Sequence, residues 1–415
     1  MTAEIIHSPA LLPAHWAFMT VAAMTSALMG GKGRNLNNNW SPAAILPNLS
    51  AEKAVEGEII ALAPSHDPRV QAFCASHPKF EELISRFTDA FDVPLAPVVL
   101  IVRDDVKSKL SQVEALASFR DLVALCVVPY ARSLGLLYPK APHRISHSNS
   151  FWLYPWMLGT NNETLIASTP AIRGLHAVDR FHGQSSPELS TMELKDVDEP
   201  LLEALLRLWK RHYLSSRQRW HDRALFRSLN MAAQASQLPA GIDTTLYDIG
   251  RMTALWVSAF EILAHPHTRK PTAPVPKLTA VTVFKKPAGP RMGKSGLSTV
   301  YPLLEGVCYL NPEVGRRMYA AYMGRAKESR RRRALPCWLY GKLYQAPCDF
   351  LHGNPIRASA LNPHGSEVSL FWIAPALYRL ALTGFLKLSS GKKPASGFHI
   401  DPQRIIERAI LMVRK

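Results

Sequence analysis

The chain has 415 residues, 47% of them hydrophobic and 20% charged, a composition that excludes a disordered protein and allows two or three domains. Its five cysteines are scattered without a CxxC pair, which argues against a disulfide framework or a cysteine-based zinc site and favours reduced thiols in a cytoplasm. The formal net charge of +17 is unevenly divided, with 16 Lys and Arg against 20 Asp and Glu in residues 1–200, and 33 against 12 in residues 201–415. One half of the protein is therefore expected to meet a polyanion.

The first part of the chain, residues 1–198, is predicted to form an α+β domain whose role the sequence does not indicate. Its predicted elements are a helix at 79–91, a buried strand at 98–103 and a long buried helix at 112–134. Pro129 is expected to bend or end the last of these helices. The aromatic run at 148–165 is interpreted either as core packing or as the lining of a pocket.

Two apolar segments are candidate membrane spans, and neither is predicted to cross a bilayer. Residues 16–29 are too few to cross a bilayer and have no basic residues before them. Residues 368–386 contain Pro375 and Arg379, and their apolar positions repeat with helical spacing. The sequence thus predicts a soluble protein whose segment 368–386 is a buried helix.

The second part, residues 199–415, is predicted to be an all-α helical bundle, so that the whole protein is mainly α. A Pro-rich insertion is expected at about 265–302. The predicted helices lie at 199–213, 215–236, 243–264, 312–327, 336–352, 366–388 and 401–414. Long helices joined by short turns are typical of bundles.

Basic residues of this second part cluster at 207–223, 285–294 and 324–333, which favours RNA or another polyanion as the partner. The first cluster also contains Trp209, Tyr213 and Trp220, whose rings can stack on bases. The alternative is that these runs are solvated helix faces with core-facing tryptophans. The candidate RNA-binding residues are Arg207, Lys210, Arg211, Arg217, Arg219, Arg223, Arg330, Arg331, Arg332 and Arg333.

The stretch LYQAPCDFLHGNP, residues 343–355, places His352 at the end of a predicted helix. YGKLYQAPCDFLHGNP (340–355) and YDIGRMTALWVSAFEILAHP (247–266) resemble the HEPN superfamily, specifically its larger ApeA-like members. The resemblance covers roughly residues 200–390. It implies a helical bundle that often dimerises. In many members it also implies a metal-independent ribonuclease, whose site is an Arg followed after four to six residues by a His from each protomer.

RNA cleavage needs a base for the ribose 2′-hydroxyl, which a histidine can supply, and a fixed cation for the phosphorane oxygens. Within the resemblance, His352 carries over as the base and Asp349 as a flanking polar residue. The motif arginine does not carry over, because its position is Pro347. Lys342, Arg357 and the run at 330–333 are candidate cations in its place, and the spacing selects none of them, although Arg357 is included among the candidate catalytic residues. The alternative is that His352 only interacts with the terminal carbonyls of the helix.

A second motif, AGPRMGKS at 288–295, fits the loose form of a phosphate-binding loop. In that hypothesis Gly293, Lys294 and Ser295 hold a nucleotide. Ala288 replaces the first glycine and Pro290 stiffens the loop, so a flexible basic linker is the alternative. No metal or cofactor is indicated by the sequence.

Together these features predict a HEPN-like, RNA-binding, cytoplasmic protein that forms a homodimer. Three hypotheses describe its activity. The first is a metal-independent endoribonuclease of a defence or stress-response type, acting through His352. The second is a catalytically inactive HEPN-like scaffold that binds RNA or a partner protein, and the third is nucleotide binding at 288–295.

Overall fold

A computed structural model describes the chain between Trp40 and Val413, with gaps. The described residues are 40–89, 92–107, 110, 113–140, 145, 147–154, 156–158, 165–167, 192–215, 219–237, 246–265, 296–321, 332–351, 362, 366, 368–388 and 401–413. The chain divides into two compact units. Unit 1 consists of residues 1–218 with 233–245, and unit 2 of residues 219–232 with 246–415.

Unit 1 contains an antiparallel sheet of four strands in the order β1-β5-β4-β3. The first five strands of the chain are β1 (Trp40–Leu46), β2 (Leu49–Ser50), β3 (Val55–Glu56), β4 (Ile60–Pro64) and β5 (Val98–Arg103). The central strands β4 and β5 are buried along almost their whole length. Burial on both faces explains the unbroken apolar run of β5, and the predicted strand at 98–103 is confirmed.

Two short helices, α1 (Pro68–Ser76) and α2 (Pro78–Ser85), pack their apolar sides against the sheet. The shared core cluster contains Ile45, Ala61, Ala63, Val70, Cys74, Phe80, Leu83, Ile84, Phe87, Val99, Ile101 and Tyr154. The helix predicted at 79–91 is present but ends at Ser85. It ends early because the chain then turns back on itself, with Leu95 N–H donating to the Phe87 carbonyl at 2.8 Å.

Two longer helices complete the described helices of unit 1, after the short α3 (Asp104–Lys107). The predicted buried helix is confirmed as α4 (Val113–Leu137), which continues through Pro129. Helix α5 (Glu199–Leu214) packs against it, with Trp209 Nε1 donating to the Ala115 carbonyl at 3.1 Å. The remaining pieces are a 3-10 helix at Ser148–Phe151 and the strands β6 (Trp156–Leu158), β7 (Leu165–Ala167) and β8 (Met192–Glu193).

A buried cation sits beside a buried histidine in unit 1. Arg132 is only 1% exposed, and its Nη2 donates to His147 Nδ1 at 2.9 Å and to the Ser236 carbonyl at 3.4 Å. Burial lowers the pKa of Arg132 to about 9, so the group is still charged at neutral pH. Burial and the charge of Arg132 lower the pKa of His147 to about 3, so the imidazole is neutral.

Unit 2 is a helical bundle, so the predicted order of an α+β region followed by helices is confirmed. Its helices are α6 (Trp220–Ala235, of which residues up to 232 belong here), α7 (Leu246–Ala264), α8 (Gly296–Glu305), α9 (Pro312–Arg316), α10 (Leu335–Leu351), α11 (Leu370–Leu386) and α12 (Pro402–Met412). Helices α7, α8, α10 and α11 form the centre, since each packs against the other three, and α12 lies on α11. Buried rings fill this core, with Phe260 4.9 Å from Tyr340 and 5.3 Å from Tyr378 between ring centroids.

The helix predicted at 312–327 was wrong, because the described residues there form the short α9 followed by a strand. The Pro-rich insertion predicted at about 265–302 stays a prediction, since residues 266–295 lie outside the described residues and helix α8 begins at Gly296. Strand β9 (Met318–Ala320) pairs antiparallel with β10 (Arg332–Ala334). Tertiary contacts override helix propensity here, because the Tyr319 ring packs 5.3 Å from Trp338.

The domain boundary predicted near residue 198 stays a prediction, while the packing of α5 against α4 groups α5 with unit 1. Among the described residues, no helix combines the length and apolar character needed to cross a bilayer. Segment 368–386 corresponds to α11, which holds buried Arg379 and Pro375 in its interior.

Candidate nucleic-acid interface

Unit 2 carries more positive than negative charge on its surface. Among its described acidic side chains only Glu305 and Glu313 are exposed, and each is already paired, Glu305 with Arg333 and Glu313 with Arg317 at 2.6 Å. The exposed cations that form no ion pair with a described residue are Arg219, Arg223, Arg227, Arg316, Arg332, Lys387, Arg404 and Arg408. A polyanion that binds this surface can neutralise these surplus positive charges.

The densest group of these cations lies at the start of α6. Arg223 and Arg227 are exposed and four residues apart on the helix, roughly 6 Å along its axis at 1.5 Å per residue. The exposed Arg219 lies just before the helix, where its carbonyl accepts from Arg223 N–H at 3.2 Å. The opposite side of the helix is buried, with Leu225 and Leu229 at most 1% exposed. Arg219 and Arg223 were predicted from the sequence, whereas Arg227 was missed although it continues the same spacing.

A second pair of exposed arginines was missed entirely. Arg404 and Arg408 lie on α12, four residues apart, and the buried side of that helix carries Ile405, Ile406 and Ile410. The signal was present in the sequence, since DPQRIIERAI has a capping Asp-Pro pair and arginines at helical spacing opposite isoleucines. The pair was overlooked because it does not form a dense basic run.

The run predicted at 330–333 is only partly described, and its members differ. Arg332 is exposed and donates from Nη2 to the Met318 carbonyl at 3.1 Å. Arg333 is half-buried, donates to Glu305, and stacks over the Tyr301 ring with 4.6 Å between Cζ and the centroid. Arg333 is therefore held inside unit 2 by its partners, while Arg330 and Arg331 lie outside the described residues.

The first predicted basic cluster divides between the units. In unit 1, Arg207 is exposed, Arg211 is half-buried, and Lys210 donates to Glu58, whose pKa is lowered by that contact. Trp209 is 1% exposed and belongs to the core. Tyr213 OH lies 2.5 Å from Ser118 Oγ. Arg217 lies outside the described residues, and of the three aromatic residues in this cluster only Trp220 belongs to unit 2.

The proposed catalytic motif is described only as far as Leu351. Helix α10 continues through buried Pro347 to Leu351, and Asp349 is in its last turn. The Phe350 ring is 6.2 Å from Tyr247, at the start of α7. His352 and Arg357 lie outside the described residues, as does the side chain of Asp349. The phosphate-loop candidates Gly293, Lys294 and Ser295 also lie outside them.

A carboxylate and a histidine stand at the other end of α7. The half-buried Glu261 lies one turn before the exposed His265. Burial raises the pKa of Glu261, and the nearby His265 opposes that shift. Within the described part of the chain, no three His, Cys, Asp or Glu side chains are placed to hold a metal ion.

Comparison with known proteins returned nothing: no family model matches the chain, and neither a curated protein nor a solved structure matches it. The HEPN resemblance is tested by none of these comparisons and stays a prediction.

Proposed function

We propose that this protein binds RNA through the exposed cations of unit 2. The observation that supports the proposal is the contrast between its exposed arginines and its exposed carboxylates. The arginines at 219, 223, 227, 404 and 408 have no ion-pair partner among the described residues, whereas the exposed Glu305 and Glu313 are both neutralised. In unit 1, described ion pairs hold Arg69, Lys79, Arg86, Arg103, Arg120, Lys195 and Lys210, while the exposed Lys53, Lys140 and Arg207 form none with a described residue.

Salt dependence of RNA affinity tests this proposal. Each phosphate neutralised on a single strand contributes about −0.7 to the slope of log K against log salt. If the five arginines of α6 and α12 all contact phosphates, a slope of roughly −3.5 follows. Fluorescence anisotropy of a labelled single-stranded RNA with the full chain measures it. No binding, or binding that salt leaves unchanged, would refute the proposal.

The choice of RNA over DNA rests on the HEPN resemblance, and so does the ribonuclease hypothesis. The continuation of α10 through Pro347 supports that hypothesis, because the proline at the motif's arginine position does not interrupt the helix before Leu351. The hypothesis predicts RNA cleavage that resists EDTA and is abolished by His352→Ala, with RNA affinity retained. His66→Ala, at an exposed histidine of unit 1, is the matched control and should cleave normally. RNA binding without cleavage in the wild type would favour the inactive scaffold instead.

A further inference from the structure

Helix α6 begins with an aromatic residue beside its row of arginines. Trp220 is half-buried, and Arg223 and Arg227 follow it at three and seven residues. At about 100° per residue, these three positions lie within roughly 60° of one another around the helix. An aromatic ring and two exposed guanidinium groups therefore share one stripe of α6, with Arg219 next to the ring in sequence.

Two further rings stand around Trp220. The His265 ring, just after the end of α7, is 6.0 Å from the Trp220 ring between centroids and tilted by 44°. The His221 ring is 5.4 Å away and nearly perpendicular. Both histidines are exposed. The start of α6 and the end of α7 thus bring three rings together at a surface that also carries arginines.

Two carboxylates near these rings, Asp222 and Glu261, are withdrawn from the surface, Asp222 being 2% exposed and Glu261 half-buried. Glu261 lies one turn before His265, and its Oε1 packs against Gly296 so closely that a Cβ there would be 1.7 Å away. Burial raises the pKa of Glu261, and the nearby His265 opposes that shift.

We propose that Trp220 and His265 form a stacking platform for a base of single-stranded RNA, while Arg219, Arg223 and Arg227 bind the neighbouring phosphates. This inference rests on the RNA binding proposed above and gives it a location and a strand preference. Aromatic rings beside a basic groove are the usual means of binding single strands, because every base has a face that can stack. In a duplex those faces are occupied by neighbouring base pairs, so a duplex can use only the arginines.

The test compares single-stranded and duplex RNA of about a dozen nucleotides, using full-length variants. Trp220→Leu should weaken single-strand binding roughly 5- to 150-fold, the range expected for one stacked base, and leave the salt slope unchanged. Duplex affinity should be unaffected. Trp220→Phe should keep most of the single-strand affinity, because a smaller ring still stacks.

Two further variants keep the test decisive. Trp372→Leu is the matched control, since Trp372 is 40% exposed on α11 of the same unit and should tolerate the change. His265→Ala removes an exposed ring without opening the core, so it should weaken single-strand binding even if Trp220→Leu is poorly folded. A Trp220→Leu protein with wild-type circular dichroism that loses single-strand and duplex binding equally would overturn the platform.

The outcomes separate this inference from the function on which it rests. Salt-dependent RNA binding by the wild type that neither Trp220→Leu nor His265→Ala weakens would remove the platform and leave the proposed function standing. An equal loss in Trp372→Leu would also remove the platform, because stacking would then have no preferred site. A wild type that binds no RNA would end both proposals.

Discussion

Replacing Arg219, Arg223 and Arg227 together by glutamine is expected to make RNA binding much less sensitive to salt. Glutamine retains a long side chain and high helix propensity, so α6 should persist. If each arginine neutralises one phosphate of a single strand, the slope of log K against log salt becomes shallower by about 2. Between about 50 and about 200 mM salt, the wild type should then lose roughly 20-fold more affinity than the variant.

The size of this effect follows from the absence of internal neutralisation. None of the three arginines forms an ion pair with a described residue, so nothing within the described protein competes with a phosphate for them. An arginine already paired, such as Arg317 with Glu313 at 2.6 Å, would give up its partner to bind RNA and would contribute less.

The assay is a salt series of fluorescence anisotropy titrations, with a control variant of equal charge. Lys79, Arg86 and Lys195 are exposed cations of unit 1, each in an ion pair, and replacing all three by glutamine also removes three positive charges. The control should keep the wild-type slope. If both triple variants shift the slope equally, binding depends on net charge alone, and the argument from α6 is wrong.

Three further predictions concern the scaffold. The pKa of His147 is about 3 in the folded protein and 6.5 for an ordinary histidine. Between these two pH values only the unfolded chain takes up the proton, so stability falls as the pH falls below 6.5. Urea unfolding at about pH 5 should show a loss of roughly 2 kcal/mol relative to about pH 7, a loss that His147→Gln lacks. Buried Glu407 accepts hydrogen bonds from the N–H groups of Leu310 and Asn311. Glu407→Ala should therefore lower the free energy of unfolding by about 3–5 kcal/mol in thermal unfolding, and Glu407→Gln should lower it clearly less. Equal losses in the two variants would contradict this. Gly384→Ala would bring a Cβ within 2.6 Å of the Leu303 carbonyl and should destabilise the protein by roughly 1–3 kcal/mol. Gly135→Ala on α4, where a Cβ would have nothing within 4 Å, should stabilise it slightly. A change in stability of the same sign for both variants would contradict this.

Elements with a strong local pattern were predicted well. Strand β5 was found from an apolar run bounded by Pro97 and Asp104, and α12 from the Asp401-Pro402 cap, where the Asp401 carboxylate accepts from Gln403 N–H at 2.8 Å. Strands β9 and β10 were not predicted, because eleven residues separate them and their pairing is decided by contacts with α10. Helix α8 was missed because Pro302 lies inside it.

The candidate interface was predictable in its residue types but not in its pairing. The four-residue spacing of Arg223 and Arg227 places them on one helix face whatever the tertiary structure. Which cations are neutralised depends on distant partners, since Lys210 meets Glu58 across 152 residues of sequence and Arg333 meets Glu305 across 28. Basic clusters in a sequence therefore include cations that are already paired and leave out exposed cations that are not.

The charge balance of unit 2 has a structural origin that goes beyond its composition. Asp222 and Glu407 are at most 2% exposed, and Glu407 is used inside the protein to hold the N–H groups that precede α9. Glu305 and Glu313 are used on the surface to hold Arg333 and Arg317. These carboxylates take part in internal hydrogen bonds and local ion pairs, and none of them forms an ion pair with the exposed arginines at the start of α6 or on α12. A polyanion that meets these arginines therefore does not have to displace a described carboxylate.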